Sequence, residues 1–273
     1  MNEDSLREIL RDIPLGPVRY FDSVDSTNDA AARWVEDGAL NLSLVVADEQ
    51  TKGRGRLGRH WFTPAGAALA FSLVLRPESL YLGQKDSFDK IEIPITIARL
   101  TALGTIAVCS ALQAELGLDS DIKWPNDVLL AGRKVCGSLA EAHWHGERLQ
   151  AVILGVGINV APNSLPPEQH LLFPAAYIEA ALGQAVDRWQ FLVAVIEQLL
   201  DWLPRLASPE FLSFWENHLA YRDEYVCLIR DGSPVIEGQL LGLDSQGALR
   251  LRTLDGQEIA FQSGEVHLRR LTG

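Results

Sequence analysis

Residues 53–59 read GRGRLGR, and how this heptapeptide is understood decides the fold. Its glycines at 53, 55 and 58 satisfy G-x-G-x-x-G, the dinucleotide-binding fingerprint. That fingerprint works only when a strand enters the glycine turn and a helix leaves it, with the helix N-terminus facing a pyrophosphate. A strand is expected before it, in the apolar, β-branched run at 42–47 (LSLVVA). After it come RHWFTPAG and then a second strand-like run at 67–75, and Pro64 blocks an early helix. No G-K-[ST] follows, so the stretch is not a P-loop either. The glycine spacing is a coincidence. What remains is three arginines on a loop whose glycines let the backbone close tightly around a ligand. Guanidinium forks pair bidentately with carboxylate or phosphate. A solvated, mobile loop of like charges is the alternative reading.

The whole-chain charge sharpens the choice. The 273 residues carry a net charge of −12, and basic residues cluster only around this loop. A field of that sign repels nucleic acid, so DNA is not an expected partner. A basic loop in an acidic chain points to a small anionic ligand. With 47% hydrophobic and 22% charged residues the composition is that of an ordinary globular protein. No apolar run reads as long and charge-free enough to span a bilayer, and MNEDSLREILRDIP lacks a signal-peptide core. A cytoplasmic protein without membrane contact is the expectation. The three cysteines (109, 136 and 227) are widely spaced, with no C-x-x-C, so neither a disulfide framework nor a zinc site is indicated.

Outward from the loop, a strand is expected at 18–22. A helix follows to about Val35, capped by Ser26 or Thr27 and stopped at Gly38. Residues 94–116 have helical spacing and end at Gly117. Strand pairs are expected around the WPND turn and around HGE at 145–147, and two helices at 187–203 and 209–219. Past residue 221 short strand-like runs alternate with turns, which suggests a small β-barrel of SH3 type. The expected organisation is an α/β body over residues 1–220 and a β domain over 221–273.

Two further stretches carry polar chemistry. In KWPND (123–127) Pro125 biases Trp124 toward extended backbone, so Lys123 ends a strand pointing in a fixed direction. It is a point charge suited to a carboxylate or phosphate oxygen. Asn126 and Asp127 suit a ribose, a metal or neighbouring backbone, and Pro-Asn-Asp is also plain turn chemistry. In GVGINV (155–160) two glycines interrupt a buried strand, which signals either close approach by another group or a bulge. His143 and His145 read as exposed residues near a hairpin tip, and Trp189, Trp202 and Trp215 as helix core.

Taken together, DSTND (25–29), EQTKGRGRLGRHW (49–61), KWPNDVLLAGRKVCGSLAE (123–141) and GVGINV resemble the biotin–protein ligases, over the whole chain and in the family's order. The resemblance implies a catalytic core like that of class II aminoacyl-tRNA synthetases, a mixed sheet backed by helices. It implies ATP and biotin as substrates with Mg²⁺, a biotinyl-5′-adenylate, and transfer to a lysine of a biotin carboxyl carrier domain. By family pattern Ser26, Thr27, Asn28 and Gln50 shape the biotin site. Arg54, Gly55 and Arg56 form a ligand-ordered loop, with Arg56 holding the adenylate. Arg59 and Trp61 meet the nucleotide side, with Asn126, Asp127, Lys134 and Asn159. Lys123 bridges the biotin carboxylate and the α-phosphate. The metal ligands stay unassigned, and a homodimer is compatible with the resemblance. The chain is similar to the monofunctional kind, which has no helix-turn-helix. The rival on the same fold is lipoate or octanoate transfer, with Cys136 beside Lys134 as an acyl nucleophile.

Overall fold

The computed structural model describes residues 1–80, 92–167, 173–230, 233–262 and 267–270. Part of the expected DGSP turn, at 231–232, lies outside them. A seven-stranded mixed sheet forms the body, in the order β1-β2-β3-β7-β6-β5-β4. Its strands are β1 (Val18–Val24), β2 (Leu44–Gln50), β3 (Ala68–Leu75), β4 (Asp121–Lys123), β5 (Asp127–Leu130), β6 (Arg133–His145) and β7 (Arg148–Asn159). β1 pairs with β2 in parallel and the remaining pairs are antiparallel.

Alternation along β2 and β3 sends side chains to two cores. Val45 and Val74 face α2 (Thr27–Glu36), packing with Ala31 and Val35. Leu44, Val46, Phe71 and Leu73 face the other way, into the main core with α3 (Glu92–Leu116) and α5 (Arg188–Trp202). α3 carries a glycine in its middle, at a propensity cost of about 1 kcal/mol against alanine. A Cβ on Gly104 would collide with Ser138 and press on Val156, so the glycine is what lets helix and sheet approach.

One expectation needs correcting. The segment Thr96–Leu116 is long and apolar enough to cross a membrane by length and composition. In the fold it is the central core helix, mostly buried against the sheet, which accounts for its composition. Trp202 and Trp215, on α5 and α6 (Pro209–Asn217), are buried as expected, whereas Trp189 is half-buried and meets Tyr20 edge-on.

A second, antiparallel sheet begins at Tyr225. Its strands are β8 (Tyr225–Arg230), β9 (Ser233–Leu243), β10 (Leu249–Thr253), β11 (Glu258–Phe261) and β12 (His267–Arg270), in the order β11-β10-β9-β8-β12. The large mixed sheet with a C-terminal antiparallel sheet is the α/β architecture read from the sequence. His145 is exposed at the β6–β7 hairpin, and His143 is half-buried, 3.7 Å from Glu36.

Candidate functional site

The GRGRLGR loop joins β2 to β3, with one 3₁₀ turn inside it at Arg56–Gly58 and no helix of the dinucleotide type after it. Within it Leu57 sits in the left-handed region (φ 59°), a conformation costing about 1–2 kcal/mol for a residue with a Cβ. The loop folds over a cleft with a cavity volume of about 110 Å³. Two glycine-bearing strands form part of its floor.

On β6 and β7, Gly137 lies opposite Gly157, and Leu139 opposite Gly155. Neither glycine of β7 marks a bulge, since the register with β3 and β6 runs through both. Each marks a close approach. A Cβ on Gly157 would strike the Trp61 indole, and one on Gly137 would press on the same ring. Trp61 therefore covers a cross-strand glycine pair, with the Lys134 ammonium 5.3 Å from its ring centre. A Cβ on Gly155 would strike the Asn28 side chain.

Asn28 belongs to a buried polar chain that the sequence reading did not assemble. Ser72 Oγ donates to Asn28 Oδ1 at 2.6 Å and lies 2.8 Å from Thr27 Oγ1. Asn28 Nδ2 donates to Glu141 Oε2 at 2.7 Å. Glu141 also takes a bidentate pair from Arg54, at 2.7 Å for both bonds, and Arg54 reaches Asp29 at 2.8 Å. Burial works against the Arg54 charge, but Glu141 and Asp29 more than offset it and hold its guanidinium above the usual arginine range. Ser26 occupies the cap position of α2, yet its hydroxyl makes no cap bond. The first-turn N–H of Thr27 is taken instead by Gln50 Oε1 at 2.8 Å, from the end of β2, while Gln50 Nε2 donates to Thr63 Oγ1 at 3.0 Å.

The opposite wall is cationic. Beyond the paired Arg54, the cleft is lined by Arg56, Arg59, Lys123 and Lys134, against one lining carboxylate, Asp127. Lys134 pairs with Asp127 at 2.6 Å. Arg56 donates to Asn126 Oδ1 at 3.3 Å, and Asn126 Nδ2 donates to Ser138 O at 3.0 Å. Burial pushes the Arg56 guanidinium down from its usual range, Asp127 partly restores it, and the like charge of Arg59 adds to the fall. Lys123 lies 3.9 Å over the Phe173 ring, and the same ring is 5.9 Å from the Arg59 guanidinium.

The cleft thus brings together Ser26, Thr27, Asn28, Gln50, Arg54, Gly55, Arg56, Arg59, Trp61, Lys123, Asn126, Asp127 and Lys134. Asn159 is not among its lining residues. Its Nδ2 donates to Ala176 O at 3.1 Å, tying down the segment before α4 (Ile178–Leu182). Glu141, Ser72 and Phe173 went unassigned in the sequence reading. Glu141 carried a signal, since Gly137, Leu139 and Glu141 share one face of β6 by the two-residue period. Ser72 and Phe173 carried none. Cys136 is fully buried, and burial pushes its thiol well above the usual range.

A cationic cleft with a polar floor, on a mixed sheet extended by a C-terminal β sheet, defines a class. Residues 20–159 match the Biotin/lipoate A/B protein ligase family and residues 226–269 match the Biotin protein ligase C terminal domain. The chain belongs to the biotin/lipoate A/B protein ligase family. It is similar to the biotin–[acetyl-CoA-carboxylase] ligase of Paracoccus denitrificans, at 35% identity over 86% of this chain and 94% of that one. It is also similar to the enzyme of that description from Mycobacterium tuberculosis, at 29% identity over 98% and 96%. Among solved structures, the biotin protein ligase of Aquifex aeolicus in complex with biotin and ATP matches with a TM-score of 0.76 and 30% identity, over 93% of this chain and 99% of that chain.

Proposed function

We propose that this protein attaches biotin to a lysine of a biotin carboxyl carrier domain, through a biotinyl-5′-adenylate formed from ATP. The observation that carries the reading is the polarity of the two cleft walls. A cationic wall with Lys123 at a strand end suits a reaction that drives a carboxylate against a polyphosphate, where charge neutralisation dominates. The opposite floor, with Ser26, Thr27, Asn28 and Gln50, suits the polar bicyclic head of biotin. An apolar dithiolane or alkyl tail has no group with which to hydrogen-bond such a floor. The names of the relatives and the biotin- and ATP-bound Aquifex structure support the same substrates.

In this reading the biotin carboxylate attacks the α-phosphorus of ATP and pyrophosphate leaves. Lys123 stabilises the charge shared by carboxylate and α-phosphate. Arg56 and Arg59 hold the phosphoryl groups, and the closed loop excludes water from the anhydride. The carrier lysine amine then attacks the acyl carbon, AMP leaves, and an amide remains. Trp61, Asn126, Asp127 and Lys134 line the nucleotide side, and Asn159 supports it from behind. No protein nucleophile takes part, which fits the burial of Cys136 and its raised thiol pKa.

Magnesium fits as a passenger of ATP. The described residues contain no group of three or more His, Cys, Asp or Glu able to hold a metal. Mg²⁺ commonly binds through one or two carboxylates plus substrate phosphates, and Asp127 is the carboxylate on this wall.

The test is a mass spectrum of a biotin carboxyl carrier domain incubated with the protein, Mg²⁺-ATP and either biotin or lipoate. A biotin-sized adduct that requires ATP is expected. A lipoyl adduct in its place would overturn the substrate assignment, and tight biotin binding with no adduct would favour a binding module.

A further inference from the structure

Lys123 is the last residue of β4, a three-residue strand at the outer edge of the large sheet. So short an edge strand holds its end residue with few ladder bonds, and its neighbours take anchors from elsewhere. On one side, Ile122 N donates to His218 O at 2.6 Å and Ala220 N donates to Ile122 O at 3.0 Å. On the other side Trp124 is buried, and its Nε1 donates to Gly247 O at 3.1 Å.

Gly247 lies in the turn between β9 and β10 of the C-terminal sheet, and that turn is itself braced. Asp244 O accepts from Gly247 N at 3.0 Å, and Asp244 Oδ1 accepts from Gln246 N at 2.8 Å and Ala248 N at 2.9 Å. Gly247 has φ +87°, and the Trp215 ring fills the space where a Cβ would go. Arg99 on α3 adds a strut, donating to Ser245 O of the same turn at 2.9 Å and to Leu206 O at 2.8 Å. The acceptor that receives the Trp124 indole is therefore fixed from three directions.

We propose that the Asp244–Gly247 turn of the C-terminal sheet is a positioning element for Lys123, acting through the Trp124 indole. This rests on the reading of Lys123 as the group that stabilises carboxylate and α-phosphate. The turn touches neither reactant. It sets where the lysine stem leaves the strand. The floor groups Thr27, Asn28 and Gln50 take their hydrogen bonds from β2, β3, β6 and Thr63, and none from this turn. Loss of the Trp124–Gly247 bond should therefore slow the chemical step and spare biotin binding.

The experiment compares wild type, Trp124→Phe, Gly247→Ala and Leu254→Ala. The first keeps an aromatic ring and deletes the donor. The second leaves Trp124 intact and pushes Trp215 off the turn. The third, at an exposed residue between β10 and β11, is the control. Single-turnover pyrophosphate release from biotin and Mg²⁺-ATP reports chemistry, calorimetry reports biotin affinity, and a thermal melt reports folding. Both turn variants should release pyrophosphate roughly 10- to 100-fold more slowly, as misplacement of a catalytic group by about 1 Å does. Their biotin Kd should stay within about twofold of wild type, and Leu254→Ala should match wild type in all three readouts. An unchanged rate in Trp124→Phe overturns the proposal. So does a fall in biotin affinity that matches the fall in rate, which marks general disorder of the site. If Gly247→Ala does not fold, Trp124→Phe decides. A wild type that releases no pyrophosphate overturns the ligase reading, and this inference with it.

Discussion

Gly155→Ala adds one methyl group at the tightest point of the site. The Cβ would enter the Asn28 side chain from the centre of a strand paired on both sides, so the backbone has little room to yield. Two responses are open. If Asn28 stays, the overpacked strand costs about 1–3 kcal/mol. If Asn28 swings away, it forfeits the bond from Ser72, worth about 1 kcal/mol, and the charge-assisted bond to Glu141, worth about 2 kcal/mol. The chain takes the cheaper route, so the loss of stability should fall near 1–3 kcal/mol.

A double-mutant cycle separates this contact from any general effect of alanine in β7. Asn28→Ala removes the obstacle, so adding the methyl in that background should cost at least about 1 kcal/mol less than in wild type. Urea titrations of the four proteins measure the cycle, and calorimetry with biotin follows the site. Equal costs of Gly155→Ala in both backgrounds, within about 0.3 kcal/mol, would refute the claim that Asn28 is what the glycine accommodates.

Lys123→Ala should abolish pyrophosphate release from biotin and ATP while leaving the melting temperature near wild type. Arg56→Ala should retain adenylate poorly, seen as a faster loss of bound biotinyl-AMP on gel filtration. Glu141→Gln should cost roughly 1 kcal/mol of stability and weaken biotin binding, because Arg54 loses its bidentate partner and Asn28 its charged acceptor; unchanged calorimetry would count against the chain linking floor and loop. Cys136→Ala should leave carrier modification per folded molecule unchanged, and lost activity in a folded variant would revive the thioester route. Asp25 is held at about 2, chiefly by its bidentate bonds from Arg33. A depressed carboxylate stabilises the fold above its unfolded value of 3.8 and loses that contribution as pH falls through about 2. Asp25→Asn should flatten the acid limb of stability between those values, as read by circular dichroism.

The strands, the four longest helices and the arginine loop were legible because each is a local statement; the short helices Glu3–Ile9 and Ile178–Leu182 were not read. β2 and β3 announce themselves by β-branched runs, and Pro64 rules out the helix a dinucleotide site would need. The glycines at 155 and 157 left a close approach and a bulge equally open, and did not name the approaching group. Nothing local says that Asn28 and Trp61 occupy the spaces they leave, since those pairs lie about a hundred residues apart. The same distance hid Glu141, which meets Asn28 across 113 positions. Ser26 misled in the opposite sense. It sits where a capping hydroxyl belongs, and Gln50 from a neighbouring strand takes the first-turn N–H instead.

That substitution carries a consequence for how the two cleft walls are joined. A cap made by Ser26 would belong to α2 alone. A cap made by Gln50 fastens α2 to the end of β2, three residues before the GRGRLGR loop begins. Arg54, inside the loop, returns through Glu141 to Asn28 on the same helix. The loop is thus tied to the floor at both Gln50 and Arg54, leaving Arg56 and Arg59 beyond the second tie. This division explains why arginines so close in sequence meet different partners. Arg54 is spent on Glu141 and Asp29, whereas Arg56 and Arg59 face the wall that carries Lys123, Asn126 and Phe173. The charged anchor thus sits at the root of the loop, and the arginines that meet Asn126 and Phe173 lie toward its far end.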